Sequence, residues 1–153
     1  MKKLELKVPP VLVAAVFGAL MWLVSLSFPG VPAPMTLKLT GFVLLTSVGA
    51  FFSIAGVMAF IKARTTVNPV SPDTSSSLVT TGVYRTTRNP MYVGFLFFLL
   101  ALGFLLFNLY SLALTVGYVQ YMNRFQIQPE ESALELTFGE AFRLYKKDVR
   151  RWL

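Results

Sequence analysis

From Asn89 to Asn123 the chain carries no charged residue. A run of that length dominates any fold built around it, and it is fenced by charge: Arg85 and Arg88 before it, Arg124, Glu130 and Glu131 after it. Two more uncharged runs precede it, Val11 to Phe28 and Leu39 to Ile61. About 20 apolar residues at ~1.5 Å rise cross a hydrocarbon core of ~30 Å. Across the chain 55% of residues are hydrophobic and 14% are charged, against ~25% charged in ordinary soluble domains. In lipid the backbone must satisfy its own hydrogen bonds, which favours helices. The sequence therefore predicts an all-α, polytopic helical membrane protein.

The third run is too long for one helix across an ordinary bilayer. Its only polar break is Phe107-Asn108-Leu109-Tyr110-Ser111. Two helices of about 17 residues, each near 25 Å, joined by a tight turn at Asn108 fit it; one long tilted helix is the alternative. Charge favours the hairpin. Of the 14 Lys and Arg residues, only Lys38 falls in the outer loops of a four-helix arrangement. The rest flank the other side, which the positive-inside rule places in the cytoplasm. The expectation is one membrane domain over 1–153, with helices near 10–28, 39–62, 91–107 and 109–124 and cytoplasmic tail helices near 129–152. Both termini would be cytoplasmic, in the cell's inner or plasma membrane. The run after Lys2, Lys3 and Lys7 reads as a retained first helix, since no small-x-small cleavage site stands clear of it.

Local signals refine this. Ala14, Gly18 and Ser25 form one small-residue stripe, and Gly49, Ser53 and Gly56 another, as close helix packing requires. Trp22, deep in the first run, reads as a packing residue. Pro129-Glu130-Glu131 reads as a helix start, with acids at the positive end of the dipole. Gly139 reads as a C-cap. Ala141, Phe142, Tyr145 and Val149 make an apolar side, with Arg143, Lys146, Lys147, Arg150 and Arg151 outward. Trp152 suits a membrane interface. The polar stretch from Thr65 to Thr81 is long for a connection and suggests a functional loop or lid.

The net charge of +7 flanks apolar segments, so it points to topology and anionic headgroups rather than nucleic acid. There is no Cys and no His. This excludes thiol nucleophiles, cysteine–zinc sites and imidazole bases, and no metal site is expected. Chemistry here would use carboxylates, Tyr, Arg, hydroxyls or a cofactor that carries its own reactive group. A hairpin would bring Tyr84–Tyr92 and Arg124–Glu131 to the same end of a helix pair, roughly 8 to 10 Å apart. From spacing alone two readings stay open: a pocket, or snorkelling cations beside an acidic cap.

The ordered motifs weigh on that choice. Leu-Val-Thr-Thr-Gly-Val-Tyr84, Arg88-Asn-Pro-Met-Tyr92-Val-Gly94, an uncharged hairpin, Asn123-Arg-Phe, Pro129-Glu-Glu131 and Phe138-Gly-Glu140-x-Phe-x-x-Tyr145 follow one another. As a set they resemble the isoprenylcysteine carboxyl methyltransferases, which group with the membrane phospholipid N-methyltransferases. The resemblance covers residues 78–153. It implies methyl transfer from S-adenosyl-L-methionine, leaving S-adenosyl-L-homocysteine, to a lipophilic membrane-resident acceptor. O- or S-methylation of an isoprenyl-type or small hydrophobic acceptor is the first expectation. Phospholipid amine methylation, or a non-catalytic scaffold of the same fold, is the alternative.

Carried over by position, the resemblance implies that Ser76, Ser77, Leu78 and Val79 line the cofactor approach and that Tyr84, Asn89, Pro90, Met91, Tyr92, Glu130 and Glu131 bind it. Glu130 would take the amino end. Arg124 and Glu130 are the catalytic candidates. Two departures stand out: Asn89 replaces the family's His, and Gln126 occupies the position of a substrate-side Arg, to which Arg124 is the nearest arginine. No Gly-x-Gly-x-x-Gly follows a strand, so a soluble Rossmann-type methyltransferase is excluded.

Overall fold

The computed structural model describes residues 6–63 and 77–153. Among them the structure is helical, without a strand. The helices are α1 (Pro10–Ser27), α2 (Met35–Lys62), α3 (Pro90–Leu106), α4 (Leu109–Met122), α5 (Gln128–Phe138) and α6 (Glu140–Asp148). A 3-10 turn, Gly82–Arg85, precedes α3, and a π-helical turn, Asn123–Ile127, joins α4 to α5. Among the described residues α1 and α2 are long and apolar enough to cross a membrane, and α3 is a shorter apolar helix. α2 begins four residues before the expected 39: Pro34, the last proline of the loop, is its N-cap, and the Pro34 carbonyl accepts from the Lys38 amide at 3.2 Å.

The small-residue stripes are where helices meet. α2 packs most extensively on α3, through the face that carries Gly49, Ser53 and Gly56. A Cβ added at Gly49 would lie 2.9 Å from the Gly94 carbonyl oxygen, and one at Gly94 would lie 2.1 Å from Ser53 Oγ and 2.7 Å from the Gly49 carbonyl. The two backbones touch, as the sequence predicted. Gly18 of α1 faces Leu99 and Leu102 of α3 at an ordinary 3.7 Å. Trp22 is the exception: it is 54% exposed, on the outer side of α1 rather than in its packing. Met21 is fully buried instead, in a core with Val13, Tyr92, Leu99, Tyr118, Met122 and Ile127.

This contrast gives a test. Gly94→Ala is expected to cost about 2 kcal/mol by overpacking, a drop of roughly 4 to 8 °C in the unfolding midpoint in detergent. Gly18→Ala has room and should leave the midpoint unchanged; an equal shift in both would contradict this packing.

The chain turns between α3 and α4 at Phe107, which has a left-handed φ of 48°, and Asn108. Asn108 Oδ1 accepts from the Ser111 amide at 2.9 Å, an N-cap. Its Nδ2 donates to the Phe28 carbonyl at 2.7 Å, so one buried amide both starts α4 and holds the α1–α2 loop.

At the other end of α4 the expected start is found, α5 beginning at Gln128 with Pro129, Glu130 and Glu131 in its first turn, but the backbone does not break before it. Backbone torsions at Met122, Asn123, Ile127 and Gln128 are all right-handed helical, so the helix runs on from Leu109 to Phe138. Pro129 has no N–H and would clash with the carbonyl one turn back. The π-turn relieves that clash, and the Phe125 carbonyl accepts from the Leu6 amide at 3.1 Å instead. No free helix N-terminus faces Glu130 and Glu131.

Gly139, with φ 54°, breaks α5 from α6 as expected. Arg143 and Lys146 reach Glu135 across this corner at 2.8 and 3.1 Å. α6 ends at Asp148 and Val149 is extended, so helical periodicity stops before the last two arginines. The expectation that Arg151 points outward is therefore wrong. It turns back onto α5.

Candidate functional site

Pro90, at the first turn of α3, sets the direction of Tyr92, which is buried beside Tyr118; the Tyr118 hydroxyl donates to the Tyr92 carbonyl at 3.3 Å. The Tyr92 hydroxyl donates to Glu130 Oε1. Gln126, carried by the π-turn and only 3% exposed, donates to the same oxygen at 2.9 Å. Two distant parts of the sequence thus converge on one carboxylate, as the hairpin argument required. Both of these donors are neutral. Burial is the largest influence on the Glu130 carboxyl. Against the pull of its two hydrogen bonds, and helped by the neighbouring charge of Glu131, it is pushed up to about 7.

Glu131, the adjacent residue, lives in the opposite environment. Arg88 Nη2 donates to its Oε1 at 2.6 Å, and Arg151 donates from Nε to Oε1 at 3.1 Å and from Nη2 to Oε2 at 2.6 Å. Burial raises its carboxyl pKa, but the hydrogen bonds and charges of Arg151 and Arg88 outweigh it, leaving the group below the ordinary carboxylate range. Glu131 is a structural anion shared by two arginines. Glu130 is a carboxylate poised near neutrality.

Arg88 does more than pair. Its Nη1 donates to the Lys146 carbonyl at 3.3 Å and to the Val149 carbonyl, closing the C-terminal end of α6 where the helix dipole favours a cation. Asn89 donates from Nδ2 to the Arg151 carbonyl at 2.9 Å, and Thr87 Oγ1 donates to the same oxygen at 3.1 Å. Tyr84 is buried, its ring edge-on to Phe60 of α2, and its carbonyl accepts from the Tyr145 hydroxyl at 2.7 Å. Burial pushes the Tyr84 phenol far above its usual value, so it stays neutral.

The other expected residues sort by position. Pro90 is buried and Met91 packs under Gly56 of α2. Val79 is buried, and Ser77 and Leu78 are half-buried just before the 3-10 turn. Ser76 and most of the Thr65–Thr81 loop lie outside the described residues. Arg124 is exposed, with its guanidinium 5.7 Å from the Phe125 ring centroid; the π-turn directs Gln126 toward Glu130. Trp152, expected at an interface, donates from its indole to Asn123 Oδ1 at 3.0 Å. Arg88 and Arg151 were missed as partners of Glu131. The one available signal was a paired carboxylate with an arginine on each side of the hairpin-and-tail unit.

The sequence model of the phospholipid methyltransferase family matches residues 37–141, which takes in α2 through the start of α6. An uncharacterised protein of Haemophilus influenzae is 41% identical over 63 residues, which are 41% of this chain and the whole of that protein. No solved structure matches the chain. With a match over well over half its length, and with apolar helices suited to a bilayer, the chain belongs to the phospholipid methyltransferase family, the integral membrane methyltransferases that include the isoprenylcysteine carboxyl methyltransferases.

Proposed function

We propose that this membrane methyltransferase uses S-adenosyl-L-methionine and acts on a lipophilic acceptor at the cytoplasmic edge of the bilayer. The observation that carries this reading is Glu130, a partly buried carboxylate pushed up to about 7 and hydrogen-bonded by neutral Tyr92 and Gln126. Such a group gains most from an incoming cation, and the ammonium of an amino acid fits it. Glu130 would hold that ammonium. Tyr92 orients the carboxylate, and Tyr84, Asn89, Pro90, Met91, Ser77, Leu78 and Val79 would form the surrounding wall. When bound, the donor supplies a methyl group already activated as a sulfonium. The protein's part is then to align the acceptor and exclude water, which the buried start of α3 and the π-turn favour.

For the acceptor, O- or S-methylation of an isoprenyl-type or small hydrophobic molecule is the first reading. Phospholipid amine methylation is the second. It is favoured by neutral, buried Gln126 in the position of a substrate-side arginine, and by the description of the family that matches. Incubating membranes that contain the protein with labelled donor and following the label into extracted lipids tests both. Label in no lipid fraction would count against transfer to any membrane-resident acceptor.

We read 1–153 as one membrane domain in which α1, α2, α3 and α4 all span, with termini, site and tail helices in the cytoplasm. The charge distribution supports this. A tag fused after Leu153 should be protected from external protease in intact cells; cleavage there would contradict the arrangement.

A further inference from the structure

We propose that residues 149–152 form a strap that sets the geometry of the Glu130 pocket, with Arg151 as its positioning residue. This rests on the reading of Glu130 as the carboxylate that holds the donor's ammonium.

The strap is bonded to three segments beside Glu130. Toward the start of α3, the Arg88 guanidinium takes the Val149 carbonyl, and the Arg88 amide donates to the Arg150 carbonyl at 2.9 Å. Thr87 and Asn89 share the Arg151 carbonyl. Those three residues lead directly into Pro90 and Tyr92. Toward α5, the Arg151 side chain grips both oxygens of Glu131, next to Glu130. Toward the π-turn, Trp152 bonds Asn123, three residues from Gln126.

Tyr92, Gln126 and Glu130 therefore come from three segments that one short stretch ties together. A planar guanidinium that spans both carboxylate oxygens fixes direction as well as distance. Glu131 sits on the same helical turn as Glu130, so its orientation is passed on through a rigid backbone. Asn89 explains itself here too: its amide anchors the strap.

Arg151→Ala keeps Glu131 paired with Arg88 and keeps every main-chain bond of the strap, so the protein should fold. S-adenosyl-L-homocysteine affinity, measured by calorimetry, is expected to fall about tenfold, with the ligand-free unfolding midpoint little changed. Arg151→Lys should recover part of the loss, and Lys147→Ala, on the exposed side of α6, should bind as the native protein does. Unchanged affinity in Arg151→Ala would overturn the positioning role. A second reading needs no ligand. The chain has no cysteine, so a spin label on Leu153→Cys reports the strap alone. It should be restrained, and released by Asn89→Ala; equal mobility in both would overturn the strap. If the native protein bound no ligand while the label behaved as expected, the proposed function would fail and the strap would stand.

Discussion

Glu130→Gln is expected to weaken S-adenosyl-L-homocysteine binding by roughly ten- to a hundredfold, since a hydrogen bond to a charged group contributes about 1.5–3 kcal/mol and ~1.4 kcal/mol is tenfold. The substitution is nearly isosteric. Gln keeps an oxygen for the Tyr92 hydroxyl to reach and removes only the charge. The pH dependence separates charge from shape. The Glu130 carboxyl is pushed up to about 7 by burial, so the ionised form that holds an ammonium is lost as pH falls below that value. Native affinity should drop about tenfold between pH 8 and pH 6, and the Gln variant should show no such dependence.

The sign for stability runs the other way. A carboxyl raised in the folded state favours folding below its ordinary value of 4.5, and that contribution is lost as pH rises through about 7. Ligand should therefore protect against heat more at pH 8 than at pH 6. Equal affinity in native and Gln proteins would remove Glu130 from the site.

Arg88→Ala has the largest expected effect on stability. Arg151 still pairs Glu131 in this variant, but Arg88 is the more buried of the two arginines, 11% exposed, and losing its ion pair together with two carbonyl hydrogen bonds costs about 3 kcal/mol. The α6 carbonyls lose their cation at the same time. The unfolding midpoint should fall by roughly 6 to 12 °C. Arg88→Lys should recover little, because a point charge cannot serve Glu131 and two carbonyls together. Arg143 offers the contrast. Its pair with Glu135 is 58% exposed on the arginine side, and Arg143→Ala should leave the midpoint unmoved, as water screens such pairs. Similar midpoints for Arg88→Ala and the native protein would show that the Arg88 contacts contribute nothing.

Much of this arrangement is legible in the sequence, and the failures share a cause. The turn at Asn108, the close contact at Gly49 and the break at Gly139 are local: each follows from what one residue type does to its own backbone or to the facing helix. Pro129 marks the first turn of α5 as its sequence suggests, but a proline after a chain break and a proline behind a π-turn look alike in one dimension. What distinguishes them is the Phe125 carbonyl, whose partner is Leu6 at the other end of the chain. Arg151 misleads outright. Helical spacing places it outward, but α6 stops at Asp148 and the charge of Glu131 decides its direction. Trp22 shows the reverse limit: in an apolar helix, hydrophobicity does not distinguish the packed side from the outer one. At the site, the convergence of Tyr92 and Glu130 follows from the hairpin, whereas the division of labour between Glu130 and Glu131 depends on two arginines far apart in sequence.

The central claim is that Glu130 and its neighbours hold an S-adenosyl donor. Its most direct test is a calorimetric titration of the detergent-purified native protein with S-adenosyl-L-homocysteine at pH 8. A saturable heat at one site per chain is expected, weakened in Glu130→Gln. No heat up to millimolar ligand would contradict it.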